Sequence, residues 1–255
     1  MKKKQERVSR VKNVLSLLLI ISIVALSACT IPNDLNNNPN EITVDDVNTE
    51  LFLNGVQLGN AAVQAGHVNR IAGMFSGQLV AFQSLYGGIY GYDITSGHTN
   101  SVWNFAYIAV LTNARYIQAQ DDPLLAGIAR VVEANAMGTL ATVFGDVPYS
   151  EAAIDGLEDP KFDSQMSVLT AVIGVLDAAI GNLGTATSRS LDFDIHYGGD
   201  KDKWIAAAYT LKARYLNVMR DYAGAYQAAQ NGISDAADDY LFIPRGSAAV
   251  ATGDK

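Results

Sequence analysis

From residue 43 to about residue 240, apolar positions recur every three or four residues in long blocks, separated by stretches rich in Gly, Asp, Asn and Pro. That period belongs to a helix with one buried face, so the pattern predicts an all-α domain. Leu51, Val56, Leu58, Ala62 and Val63 supply the first apolar face, and Thr43-Val-Asp-Asp46 has the spacing of an N-terminal cap. Ile71, Phe75, Leu79 and Phe82 predict a second helix over about His67 to Ser84. Glycines at 55, 59, 66, 73 and 77 point to close helix contacts, although each weakens its own helix. Residues 85–99 then break the period. Leu85-Tyr-Gly-Gly-Ile-Tyr-Gly-Tyr-Asp-Ile-Thr-Ser-Gly-His-Thr99 carries four glycines and three tyrosines, the composition of an ordered loop. A helix over about Asn100 to Gln120 follows, with Trp103, Tyr107, Val110, Leu111 and Ala114 on its buried stripe.

The most sharply bounded element is the next one. Asp121-Asp122-Pro123 is a helix start, because Asp caps and Pro fits the first turn. Val131, Ala134, Met137 or Gly138, Ala141 and Phe144 continue the stripe until Gly145 and Pro148 forbid extension. Gly145 can take the positive φ of a helix end, Asp146 can bond nearby amides, and Pro148 pushes Val147 out of the α region. Beyond an acidic loop, Asp155 to Ser164, Ser164 is placed to cap a helix reaching Leu183. A second loop, Gly184 to Lys203, precedes two helices over about Lys201 to Arg220 and Tyr222 to Asp235. Trp103 and Trp204 lie on helical stripes and read as core.

Charge and the N-terminus narrow the class. Lys2, Lys3, Lys4, Arg7, Arg10 and Lys12 precede an apolar run from Val14 to Ala28, which is too short for a comfortable span and has the form of a signal peptide. It ends in Leu26-Ser27-Ala28-Cys29, which resembles a bacterial lipobox, with Cys29 as the lipid attachment site. Cys29 is the only cysteine, so no internal disulfide can form. Residues 29–42, rich in Asn and Pro, read as a polar tether, and residues 43–255 as the helical domain. Loss of residues 1–28 would remove six of 18 basic and one of 26 acidic residues, moving the net charge from −8 to −13. Such a surface excludes nucleic acid as a partner and disfavours anionic polysaccharides.

The words around Gly145 carry a resemblance. Phe144-Gly-Asp-Val-Pro-Tyr-Ser-Glu-Ala152, after a helix with Ala129-Arg130 and Glu133-Ala134, resembles the signature of the SusD/RagB family of outer-membrane nutrient-binding lipoproteins. Asp34-Leu-Asn-Asn-Asn-Pro-Asn40 and the Trp103, Tyr107, Asn113 set are similar to family segments as well. Trp204, Ala208, Leu211, Ala213 and Tyr215, then Tyr222, Ala225 and Ala229, resemble a tetratricopeptide-like hairpin. The resemblance implies a tetratricopeptide-like helical scaffold with long irregular loops, a lipid anchor in the outer membrane facing the cell exterior, and a TonB-dependent (SusC-like) transporter as partner. Family members are longer, so the chain is expected to be the N-terminal portion of such a fold.

No Gly-x-Ser-x-Gly elbow, His-Glu-x-x-His pair or Gly-Lys-Ser/Thr phosphate loop occurs. His67, His98 and His196 are widely separated. Asp192-x-Asp194 opens like a calcium loop, but Tyr197 stands where that loop needs Gly and Lys203 where it needs Glu. The reading is a binding protein with no cofactor or metal. Its candidate ligand set is Tyr86, Tyr90, Tyr92, Asp93, His98 and Asn100, for a neutral oligosaccharide. Tyrosine faces stack on sugar rings, while phenol, Asp and Asn groups bond to sugar hydroxyls. The alternatives are that these tyrosines pack the loop onto the helices below, that the chain is a tetratricopeptide-like protein-interaction lipoprotein without glycan affinity, or that a carboxylate pair makes it an enzyme.

Overall fold

In the computed structural model, which describes residues 48–243, the first helix opens at Asn48, whose side chain accepts from the Glu50 amide. The predicted signal peptide, Cys29, the tether and the Thr43–Asp46 cap lie outside the described residues. Helix α1 (Thr49–Ala65) buries Leu53, Val56 and Val63. Helix α2 (His67–Phe75) is shorter than its apolar pattern predicts. Gly77 takes φ +73°, and the amides of Gln78 and Leu79 turn back to the Gly73 carbonyl, so the chain leaves the helix before Leu79 and Phe82. The segment expected to be loop holds a helix, α3 (Ser84–Tyr90), with Ile89 fully buried. Its glycine pair conceals a pattern that tertiary burial of Ile89 stabilises.

A short 3₁₀ turn (Ser96–Thr99) leads into α4, residues 100–118. Its middle, Phe105–Thr112, is wound as a π-helix between two α segments. The extra carbonyls of that wide turn are taken up locally: Thr112 Oγ1 donates to Tyr107 O, and Asn113 Nδ2 to Ile108 O and Ala109 O. Helix α1 crosses here so closely that a Cβ on Gly59 would stand 2.8 Å from that of Ala109.

Helix α5 (Pro123–Phe144) is the axis of the fold, packed by α1, α4 and two later helices, α6 (Gln165–Thr185) and α7 (Lys201–Val218). Asp122 Oδ1 accepts from the Leu124 and Leu125 amides at its start, and Gly145 at φ +84° ends it. Helix α5 is long and apolar enough to cross a membrane, yet 89% of that apolar window is buried inside the domain. Gly127 and Gly138 make the burial possible. A Cβ at Gly127 would stand 2.6 Å from Leu183 Cγ, and one at Gly138 2.3 Å from Tyr215 Cζ.

Helix α6 is capped by Ser164, which accepts from Ser167 N. Helix α7 is capped by Asp200, and α8 (Tyr222–Ala229) turns back against α7 after Arg220 at φ +65°. Helix α8 stops six residues before the expected Asp235, where Gln230–Gly232 form a turn and Ile233 N bonds to Thr210 Oγ1. The sole sheet among the described residues is β1 (Val147–Pro148) paired antiparallel with β2 (Phe162–Asp163). The all-α class, with a helix hairpin at its end and long irregular connections, is the one the sequence predicts.

Candidate functional site

The corner after α5 is tied from inside. Glu133, buried midway along α5, accepts from the Tyr149 hydroxyl at 2.7 Å and from Gln118 Nε2 at 2.5 Å, with Arg115 Nε at 3.7 Å. Arg115 also donates to the Tyr149 carbonyl at 3.0 Å and to the Ala152 carbonyl, with its guanidinium 5.3 Å from the Tyr149 ring. Burial first, then the Glu133 charge, pushes the Tyr149 pKa up, so its phenol stays a proton donor. Tyr107 in the π segment donates to Pro148 O at 2.7 Å. Asp163 on β2 accepts from the amides of Tyr149 and Ser150 and from the Ser150 hydroxyl. Asp146 bonds the Gln165 amide rather than its immediate neighbours. Every strong polar group at this corner is spoken for within the protein, so the corner is a buttress that holds α4, α5 and α6 at fixed angles.

The loop before α7 is built the same way. Asp194 Oδ1 accepts from Gln57 Nε2 and the His196 amide, and Oδ2 from the Gly199 amide and the Trp204 indole, all between 2.8 and 3.1 Å. Those donors occupy the carboxylate that the calcium-loop comparison singles out. Trp204 is fully buried, as its stripe predicts, while Trp103 is only partly buried against Tyr107 and Phe144. Tyr240 closes over Trp204, with ring centroids 5.4 Å apart, and His196 Nδ1 lies 2.7 Å from the Leu241 carbonyl.

The six candidate ligand residues divide into two groups. Tyr86 turns inward: its hydroxyl lies 3.0 Å from His67 Nδ1 and accepts from Arg70 Nη1 at 2.5 Å. His98 is partly buried and closes a capping box with Thr95. Tyr90, Tyr92, Asp93 and Asn100 face solvent. Tyr92 is 77% exposed at φ +67°, and its ring stacks on Phe75 at 5.2 Å with 6° between planes. A flat aromatic surface therefore stands on α2, with its segment pinned below by Tyr86.

Two cavities open on the neighbouring face of α1. One, of about 460 Å³, is lined by His67, Arg70, Ser101 and Phe105; the other, of about 340 Å³, by Asn60, Asn69, His196, Arg214 and Tyr240. Ala61, Ala65 and Phe242 line both. Burial first, then Arg70, lowers the His67 pKa, so that ring is neutral at pH 7.

A family model described as SusD-like, "Starch-binding associating with outer membrane", matches residues 39–248. The chain belongs to the SusD-like family.

The SusD-like chain is similar in structure to a SusD/RagB family protein of Bacteroides thetaiotaomicron, with 29% identity and a TM-score of 0.68 over 76% of this chain and 44% of that one. It is similar to a chitin-binding protein at 25% identity and TM-score 0.63, over 76% and 45% of the two chains. A SusD-like protein of Bacteroides thetaiotaomicron, 23% identical with a TM-score of 0.61 over 73% and 42% of the chains, shares the fold. The chain thus spans less than half the length of these structures. No curated protein matches it.

In this SusD-like chain the signature words prove to be fold words: Phe144 to Ala152 sit in the buttress, bonded to Tyr107, Arg115, Glu133, Asp163 and Gln165. Sequence reasoning passed over Phe75, Arg70 and Arg214. Phe75 was read as part of a buried stripe, and nothing in a single sequence shows that its helix ends there with the ring at the surface. The spacing His67-x-x-Arg70 is the one signal that could have marked the larger cavity, because residues three apart share a helix face.

Proposed function

We propose that this chain is the glycan-capturing part of a cell-surface lipoprotein that holds a neutral oligosaccharide and passes it to a TonB-dependent (SusC-like) outer-membrane transporter. The observation that carries the reading is the Tyr92 ring stacked on Phe75 and presented to solvent, in a chain of a family described as starch-binding. Such a platform takes the apolar face of a sugar ring, while Tyr90, Asp93 and Asn100 beside it in the chain offer hydroxyl, carboxylate and amide groups to sugar hydroxyls. The chitin-binding structure it resembles supports an oligosaccharide as the ligand class. Tyr86 and His98 take positioning roles, since their polar groups are engaged inside the protein. The protein holds its ligand and performs no chemistry on it. Cys29 carries the lipid anchor, and the acidic surface keeps the mature protein off nucleic acid.

The test is calorimetric titration with maltopentaose and chitopentaose, on the protein and on Tyr92→Ala. Loss of one aromatic stacking contact of about 1.4 kcal/mol weakens affinity about tenfold. Binding of neither sugar would sink the glycan reading, and binding untouched by Tyr92→Ala would move the site elsewhere. Purification of the protein from its own membrane tests delivery: a stoichiometric TonB-dependent barrel is the expected companion. A folded protein that comes away without such a barrel and ignores glycans would instead fit the tetratricopeptide-like interaction role.

A further inference from the structure

The two cavities on α1 have a charge that runs against the rest of the molecule. The chain carries 26 acidic and 18 basic residues, yet neither lining contains an Asp or a Glu. Arg70 lines the larger cavity and Arg214 the smaller one, and neither makes an ion pair among the described residues. Arg189 and Lys212 each sit on a carboxylate, whereas Arg130 and Lys201 are engaged by neutral oxygens of Asn182 and Ala186. Arg70 is held in place: its Nη1 donates to Tyr86, and its guanidinium lies 5.6 Å from that ring. One edge of the fork is fixed by that bond, which leaves other N–H groups for a guest. Gly66 and His67, where α2 begins, line the same cavity and add the positive end of a helix without a capping side chain.

Apolar surface completes the picture. Phe105 and Phe242 line the larger cavity, Phe242 also lines the smaller one, and Asn60 and Asn69 bring amides to the latter. Both volumes fall within the roughly 300–1,000 Å³ typical of ligand clefts. An arginine fork matches a carboxylate in two parallel bonds, and an aromatic wall matches the C–H face of a sugar ring.

We infer that the α1 groove is a second glycan subsite, for acidic oligosaccharides, in which Arg70 and Arg214 bind the carboxylates of uronic acid residues on either side of Phe242. It rests on the glycan-capture reading and extends it from neutral to charged sugars. Net charge argues against anionic ligands only at long range. The nearest carboxylate, Asp194, lies behind His196 and Tyr240 of the smaller lining with its oxygens taken by Gln57, Trp204 and backbone amides, whereas the two guanidinium groups stand in the linings themselves and salt screens charges beyond about 10 Å.

The experiment titrates the protein with pentagalacturonate and, separately, with maltopentaose, at 20 and 200 mM NaCl. Pentagalacturonate is expected to bind, and to bind more weakly at the higher salt. Arg214→Gln and Arg70→Gln should each weaken it about tenfold or more, with Arg70→Lys recovering part of the loss. Arg214→Gln leaves maltopentaose binding unchanged, because Arg214 lies outside the Tyr92 platform. Both arginines are exposed, and circular dichroism and melting temperatures check that each variant keeps the fold, Arg70→Gln in particular because Arg70 also bonds Tyr86. The inference is overturned if pentagalacturonate does not bind at millimolar concentration, or if its binding survives both arginine substitutions. The two readings fail separately. Maltopentaose binding with no uronate binding retires the acidic subsite alone, whereas uronate binding that depends on both arginines, without any maltopentaose binding, retires the neutral platform.

Discussion

The same substitution, Gly to Ala inside a helix, should have opposite effects at two places in this protein. In α5, Gly138 faces the ring of Tyr215 from α7, and a new Cβ would stand 2.3 Å from Cζ, 2.6 Å from Cε1 and 2.7 Å from Cε2. Ordinary carbon contacts are about 3.5–4.0 Å, so the ring must retreat by more than about 1 Å. It has nowhere to go: Tyr215 is fully buried, and its hydroxyl donates to the Asn135 carbonyl at 2.9 Å. Overpacking of this kind costs about 1–3 kcal/mol, and a rigid ring met below 3 Å belongs at the upper end. Alanine returns about 1 kcal/mol through helix propensity, leaving a net loss of about 2 kcal/mol. For a domain of this size that lowers the melting temperature by about 4–8 °C. Gly174 in α6 has nothing within 4 Å of its would-be Cβ, so Gly174→Ala should raise stability by about 0.5–1 kcal/mol. Thermal melts followed by circular dichroism at 222 nm read both. Adding Tyr215→Leu to Gly138→Ala should recover part of the loss, since the smaller side chain vacates the space. A Gly138→Ala protein that melts at or above the parent temperature would refute the close α5–α7 contact on which the packing argument depends.

Tyr149→Phe removes the hydroxyl held by Glu133 and should cost about 1.5–3 kcal/mol, as for other bonds to charged groups, measured by urea unfolding. Asp194→Ala leaves the Trp204 indole, Gln57 and the Gly199 amide without their acceptor; at about 1–3 kcal/mol for each orphaned donor, the variant should be severely destabilised or fail to fold. Because those donors already satisfy Asp194, calcium or a chelator should leave the melting temperature of the parent protein within about 1 °C, and a larger rise with calcium would reopen the Asp192–Asp194 loop as a metal site. Asp122 loses some preference for its charged form to burial, but Arg189 and the amides of Leu125 and Leu124 outweigh this and hold its pKa below the usual value. Its contribution is therefore complete above about pH 4 and is lost as pH falls through the lower folded value. Arg189→Gln should move the Asp122 titration, read by NMR, back upward.

Much of the fold was legible one residue at a time. Asp122-Pro123 and Gly145-Asp-Val-Pro148 bound α5 because capping and backbone restriction are local physics, decided by the residue and its immediate neighbours. The same holds for the Ser164 cap of α6 and the buried stripe through Trp204. The candidate ligand set was legible only as composition. Tyrosines in a glycine-rich segment mark a candidate by composition, but which ring turns inward depends on His67 and Arg70, 19 and 16 residues before Tyr86.

Tertiary structure alone decided the rest. It ended α2 at Phe75 and made a helix of Ser84–Tyr90, since burial of Ile89 outweighs the poor propensity of Gly87 and Gly88. It also wound 105–112 as a π-helix and converted the signature corner from a pattern of words into a network centred on Glu133. The α1 groove owes its character to the same cause: Arg70 and Arg214 stand 144 positions apart, and no local rule connects them. Local physics sets where an element begins and ends, whereas which charges meet, and which remain unpaired, follows only from packing the helices together.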